Sequence, residues 1–95
     1  MTAPIETVRL RITGQVQGVG YRFWMMRTAA SLGLRGWVRN RRDGSVEALV
    51  TGRPDHVGAM VEAVHKGPPG AWVAGVTATP DDDDGSVGFT ALPTE

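Results

Sequence analysis

The chain has 95 residues, 41% hydrophobic and 21% charged, with a formal net charge of zero. That length predicts a single domain, residues 1–95, with one core and no second lobe, so any active site has to be built from loops and edges. Cysteine is absent, which removes disulfides, thiol nucleophiles and Cys-based zinc or iron–sulfur sites. No apolar run approaches a membrane span and no signal-peptide profile opens the chain, so the expected setting is the cytoplasm, with no membrane partner.

Zero net charge hides an asymmetry. Residues 1–42 hold eight arginines against one acid, Glu6, a net of +7; residues 43–95 hold Arg53 and Lys66 against nine acids, a net of −7. The basic half favours an anionic ligand. The balanced total lacks the basic footprint of a nucleic-acid binder.

In chain order, Glu6 to Thr13 reads as the first strand, with Val8, Leu10 and Ile12 alternating with polar residues. Gly14-Gln15-Val16-Gln17-Gly18-Val19-Gly20 follows, a glycine-rich loop. Tyr21 to Leu32 then reads as a helix, with Tyr21, Met25, Thr28, Ala29 and Leu32 on one face and Gly33 as its stop. Trp24 and Met26 fall on other faces and are read as packing residues, with ligand stacking by Trp24 as the minority option.

Gly36 to Arg41 reads as a second strand and Ser45 to Thr51 as a third. Asp43-Gly44 between them is a strong hairpin signal. Pro54 suits the start of a second helix, on which Val57, Met60, Val61 and Val64 form an apolar stripe. A fourth strand is expected over Ala71 to Thr79. Pro80 to Gly85 carries four consecutive aspartates and reads as a solvated loop without the ligand spacing of a calcium loop. Val87 and Phe89 fit a short last strand, and Pro93 ends any strand there. The order β-α-β-β-α-β with a short extra strand is that of a ferredoxin-like α+β sandwich, two helices on one face of an antiparallel sheet.

Such a loop, opening into a helix N-terminus, gathers backbone N–H groups and the positive end of the helix dipole, which suits an anion. Arg22 adds a planar fork of donors at the same junction. The same spacing also occurs in turns that bind nothing, and it matches neither a Walker loop nor a dinucleotide fingerprint. Conventional catalytic groups are scarce. His56 and His65 lie nine apart on one helix with no relay partner, and the serines lack a nucleophile context.

An enzyme built this way would work without a protein nucleophile or a metal. Acyl-phosphate hydrolysis allows that, because the leaving carboxylate, with a pKa of about 4, needs no general acid. The rest is positioning and charge stabilisation. Asn40, a polar residue at the end of the second strand on the face of Val38, is the candidate for aiming a water. The alternative reading is an ordinary polar residue near a turn.

Gly14 to Arg22, followed by Leu32-Gly33-Leu34-Arg35-Gly36-Trp37-Val38-Arg39-Asn40 and Asp43-Gly44-Ser45-Val46-Glu47, resembles the acylphosphatase family, in register over roughly residues 8–78. The resemblance implies that the backbone of Gln15, Val16, Gln17, Gly18, Val19, Gly20 and Tyr21 binds phosphate together with Arg22, and that Asn40 orients the attacking water. It further implies hydrolysis of a small-molecule acyl phosphate to carboxylate and inorganic phosphate, with no cofactor. A monomer is the expected state. Two other readings stay open: a non-catalytic anion-binding or interaction module of the same fold, and an RNA-binding domain. The second is disfavoured because the first and third strands lack aromatic stacking platforms.

Overall fold

The computed structural model describes residues 4–95. The elements are β1 (Glu6–Gln15), α1 (Tyr21–Ser31), β2 (Arg35–Asn40), β3 (Val46–Gly52), α2 (Pro54–Val64), β4 (Trp72–Pro80) and β5 (Phe89–Ala91). The strands form one sheet in the order β4-β1-β3-β2-β5. Every pairing is antiparallel except that of β5, which runs parallel to β2 and makes the sheet mixed. Both helices pack on it, forming the ferredoxin-like α+β sandwich.

The core follows the expected periodicities. Val8, Leu10 and Ile12 of β1, Val38 of β2 and Val46, Ala48 and Val50 of β3 are buried together with Tyr21, Met25 and Ala29 of α1 and Val57, Met60 and Val64 of α2. At roughly 1.5–3 kcal/mol for each large apolar side chain removed from water, this contact between sheet and helices is the dominant favourable term. Among the described residues, no helix is long and apolar enough to cross a membrane.

β1 runs past Thr13 because Gly14 and Gln15 continue to pair with Val73 and Trp72 beyond a bulge at Thr13/Gly14. Gly14 has φ +120, and a Cβ there would lie 2.2 Å from the Trp72 carbonyl oxygen. This glycine therefore serves the close approach of β4, whereas Gly18 and Gly20, with open space around them and φ of +74 and +78, make the turn. Beyond β5 the chain stays aligned with β2. Leu92 N–H donates to the Val38 carbonyl (2.9 Å) and Glu95 N–H to the Asn40 carbonyl (3.1 Å).

The face of the sheet away from the helices accounts for most of the charge asymmetry. Arg9, Arg11, Arg35, Arg39 and Arg41 all form ion pairs with acids from the second half of the chain. Glu47 receives Arg9 (2.8 Å) and Arg39 (2.8 Å). Burial pushes its carboxyl up, but the two guanidinium hydrogen bonds outweigh that and leave it below the ordinary range. Trp37 lies between Arg9 and Arg39, whose guanidinium carbons are 5.6 and 4.9 Å from its ring. Leu49, on this outer face, is thereby buried outside the main core.

The aspartate run is exposed, but three of its four carboxylates, those of Asp81, Asp83 and Asp84, have protein partners. Asp81 accepts from Arg9 (2.7 Å), Asp83 accepts from Arg35 on both oxygens, and Asp84 accepts from Trp37 Nε1 (3.0 Å). The loop folds back on the sheet because opposite charge offsets the repulsion within the run. Hydrogen bonding from Arg35 and from the Gly85 amide lowers Asp83 from 3.8 to about 2. Arg9 and the Asp82 amide lower Asp81, and the Ser86 hydroxyl and amide lower Asp84.

A carboxyl whose folded pKa is depressed contributes stability above its unfolded pKa and loses it as pH falls through the folded one. The melting temperature is therefore expected to fall between about pH 5 and pH 2. The variant carrying Asp81→Asn, Asp83→Asn and Asp84→Asn should show a flatter profile over that range. Parallel profiles for the two proteins would contradict the docked loop.

Candidate active site

The turn between β1 and α1 is residues 16–20, and it opens directly into the helix. Gly20 is the N-cap in a left-handed conformation (φ 78, ψ 21); no side chain caps this terminus and no acid stands in the first turn. The first intrahelical bond is Trp24 N–H to the Gly20 carbonyl, 3.0 Å. The amides of residues 21–23 thus have no acceptor within the helix. An anion placed there gains about 0.3–1 kcal/mol from the dipole, more where water is excluded. Tyr21 fixes the start of α1 by donating its hydroxyl to the Val64 carbonyl of α2, 2.6 Å away. Burial pushes that phenol well above its usual range, so it stays neutral.

Arg22 follows Tyr21 and is half-buried. Among the described residues it takes no part in the ion pairs that occupy Arg9, Arg11, Arg35, Arg39, Arg41 and Arg53. Asn40 closes β2, also half-buried, opposite Val46 in the β2–β3 ladder. Its residue parity matches buried Gly36 and Val38, so it points to the helix side of the sheet, away from Trp37 and Arg39. Arg22 and Asn40 line one cavity of about 380 Å³, together with Val16, Gly18, Gly20, Tyr21, Phe23, Met26 and Ala91.

The loop is tied to the hairpin by Gln17, whose Nε2 donates to the carbonyls of Arg41 (2.7 Å) and Ser45 (2.9 Å). The hairpin turn is itself fixed by Asp43, which accepts from the Ser45 amide (2.9 Å) and hydroxyl (2.6 Å). The loop that leads into these helix amides and the strand end that carries Asn40 are therefore held as one unit.

Comparison with known proteins accords with this geometry. The acylphosphatase family model matches residues 8–91. The chain belongs to the acylphosphatase family. It is 54% identical over 71 residues to an acylphosphatase of Rhizobium etli, covering 75% of this chain and 76% of that one. It is 48% identical over 89 residues to an acylphosphatase of Rhodospirillum rubrum, covering 94% and 98%. The crystal structure of acylphosphatase from Bacillus subtilis superposes with a TM-score of 0.89 at 34% identity, covering 94% of this chain and 99% of that one. As a member of the acylphosphatase family the chain is an enzyme, a hydrolase.

Within this acylphosphatase, the residues expected from sequence divide into two groups. Val16, Gly18, Gly20, Tyr21, Arg22 and Asn40 line the cavity. Gln15 stands in the β1–β4 ladder opposite Trp72, Val19 packs against the core, and the Gln17 side chain turns to the hairpin. Sequence reasoning missed the bracing role of Gln17, because its partners lie 24 and 28 residues away. It also missed Phe23, Met26 and Ala91 as cavity walls. Ala91 reaches the cavity only because β5 pairs beside β2, which no local pattern signals.

Proposed function

We propose that the cavity hydrolyses the carboxyl–phosphate bond of acyl phosphates, with the phosphate held by the 16–21 backbone and Arg22 and the attacking water oriented by Asn40. The observation that carries this reading is the placement of an uncapped helix N-terminus, an arginine without an ion-pair partner among the described residues and Asn40 around one cavity. The loop amides and the Arg22 fork stabilise the equatorial oxygens as charge spreads over them in the loose transition state. The Asn40 amide holds a water in line with the bond that breaks.

Water oxygen bonds to phosphorus, the P–O bond to the acyl group breaks, and its electrons leave on the carboxylate. Asn40 is too weak a base to take the proton, so a phosphate oxygen of the substrate takes it. The carboxylate, with a conjugate-acid pKa of about 4, departs without protonation. The products are a carboxylate and inorganic phosphate. The monomeric state and the cytoplasmic setting expected from sequence are part of the same reading.

The test is hydrolysis of acetyl phosphate in water enriched in oxygen-18. The label should appear in inorganic phosphate and not in acetate. Label in acetate would mean attack at the carbonyl carbon, and would overturn the roles given to the cradle and Asn40.

A further inference from the structure

Beside the anion cradle the same cavity has an apolar wall that a phosphate group does not need. Phe23, on the first turn of α1, is 62% exposed. A lone exposed aromatic is unremarkable by itself; this one stands immediately after Arg22 and lines the cavity with Met26. The two are three residues apart on the helix and therefore neighbours on its surface. Val16 and Ala91 extend the apolar lining, and no carboxylate contributes to it. The Arg27 guanidinium lies 5.6 Å from the Phe23 ring centroid, which restrains the ring and reduces the entropy lost when a ligand packs on it.

The geometry points to an acyl-group subsite on Phe23 and Met26 that selects acyl phosphates with apolar, above all aromatic, acyl groups over small ones. This rests on the phosphate-cradle reading of the same cavity: with the phosphate on the amides and Arg22, the substituent of the carbonyl carbon extends over the apolar wall. Acetyl offers one methyl group to that wall, and benzoyl offers a ring. Withdrawing roughly half of a phenyl ring's surface from water corresponds to about a tenfold gain in affinity. The gain persists in the transition state because the acyl group does not move as phosphorus is attacked, so it is read in kcat/KM.

The experiment compares kcat/KM for benzoyl phosphate and acetyl phosphate in the wild-type protein, in Phe23→Leu, in Phe23→Ala and in the Phe23→Ala, Met26→Ala double variant. The wild type should favour benzoyl phosphate by about tenfold or more. Phe23→Leu should keep most of that ratio, Phe23→Ala should lose most of it, and the double variant should bring it close to one. Phe23 is exposed, so the single variant carries the test even where the double variant melts early. A ratio unchanged in Phe23→Ala, with both substrates still turned over, would overturn the subsite alone. Failure of the wild type to turn over either substrate would overturn the cradle reading and the subsite with it.

Discussion

Replacing Arg22 with alanine will lower kcat/KM for acetyl phosphate by about a hundredfold or more, with losses in both binding and turnover. The guanidinium meets the dianion in the ground state and the spread charge in the transition state, so KM rises as kcat falls. Inhibition by inorganic phosphate should weaken in parallel, because the product binds the same cradle. The fold should survive, since Arg22 forms none of the ion pairs that hold the outer face of the sheet. Arg22→Lys keeps the charge but loses the planar two-pronged donor, and should remain well below the wild type. Steady-state kinetics with a phosphate-inhibition series checks all of this. A kcat/KM within a few-fold of the wild type in Arg22→Ala would refute the role given to this side chain.

Asn40→Ala is expected to separate the two kinetic constants. The amide holds water and not phosphate, so kcat should fall by about a hundredfold while KM and inhibition by inorganic phosphate change little. The backbone of residue 40 carries its own structural duty, accepting from Glu95 N–H and pairing with Val46. An alanine preserves both, which confines the change to the side chain. A parallel rise in KM would place Asn40 in the phosphate cradle; a wild-type kcat would remove it from the reaction.

How much of this was legible in the sequence depends on the range of the interaction concerned. Val8, Leu10 and Ile12 announce a strand, and Val57, Met60 and Val64 a helix, because each pattern repeats over a few residues against one core. Asp43-Gly44 sets the hairpin locally, and that hairpin carries Asn40. The first turn of α1 was legible for the same reason: Gly18, Gly20 and Arg22 are adjacent in the chain and in space.

Interactions between distant segments were not legible in this way. The aspartate run reads as a solvated loop when taken alone, yet Asp83 meets Arg35 across 48 residues. The positive first half of the chain suggested a field for an anionic ligand, but Arg9, Arg11, Arg35, Arg39 and Arg41 are neutralised within the molecule. Of the other three arginines in that half, Arg22, Arg27 and Arg42, Arg22 alone lines the cavity, so what the site offers a ligand is narrower than the composition implied: one guanidinium and a short run of amides. Leu49 has outward parity and is buried all the same, between its cross-strand partners Arg9 and Trp37. Gln17 was placed in the cradle for its backbone, while its side chain braces the loop against the hairpin.

The most direct test of the central claim is a crystal structure with inorganic phosphate bound. The account predicts the anion on the amides of residues 16–21, with the Arg22 guanidinium in hydrogen-bond contact and the Asn40 side-chain amide facing the phosphorus at the distance of one intervening water. An anion bound elsewhere, or seated there with Asn40 turned away from it, would contradict the account.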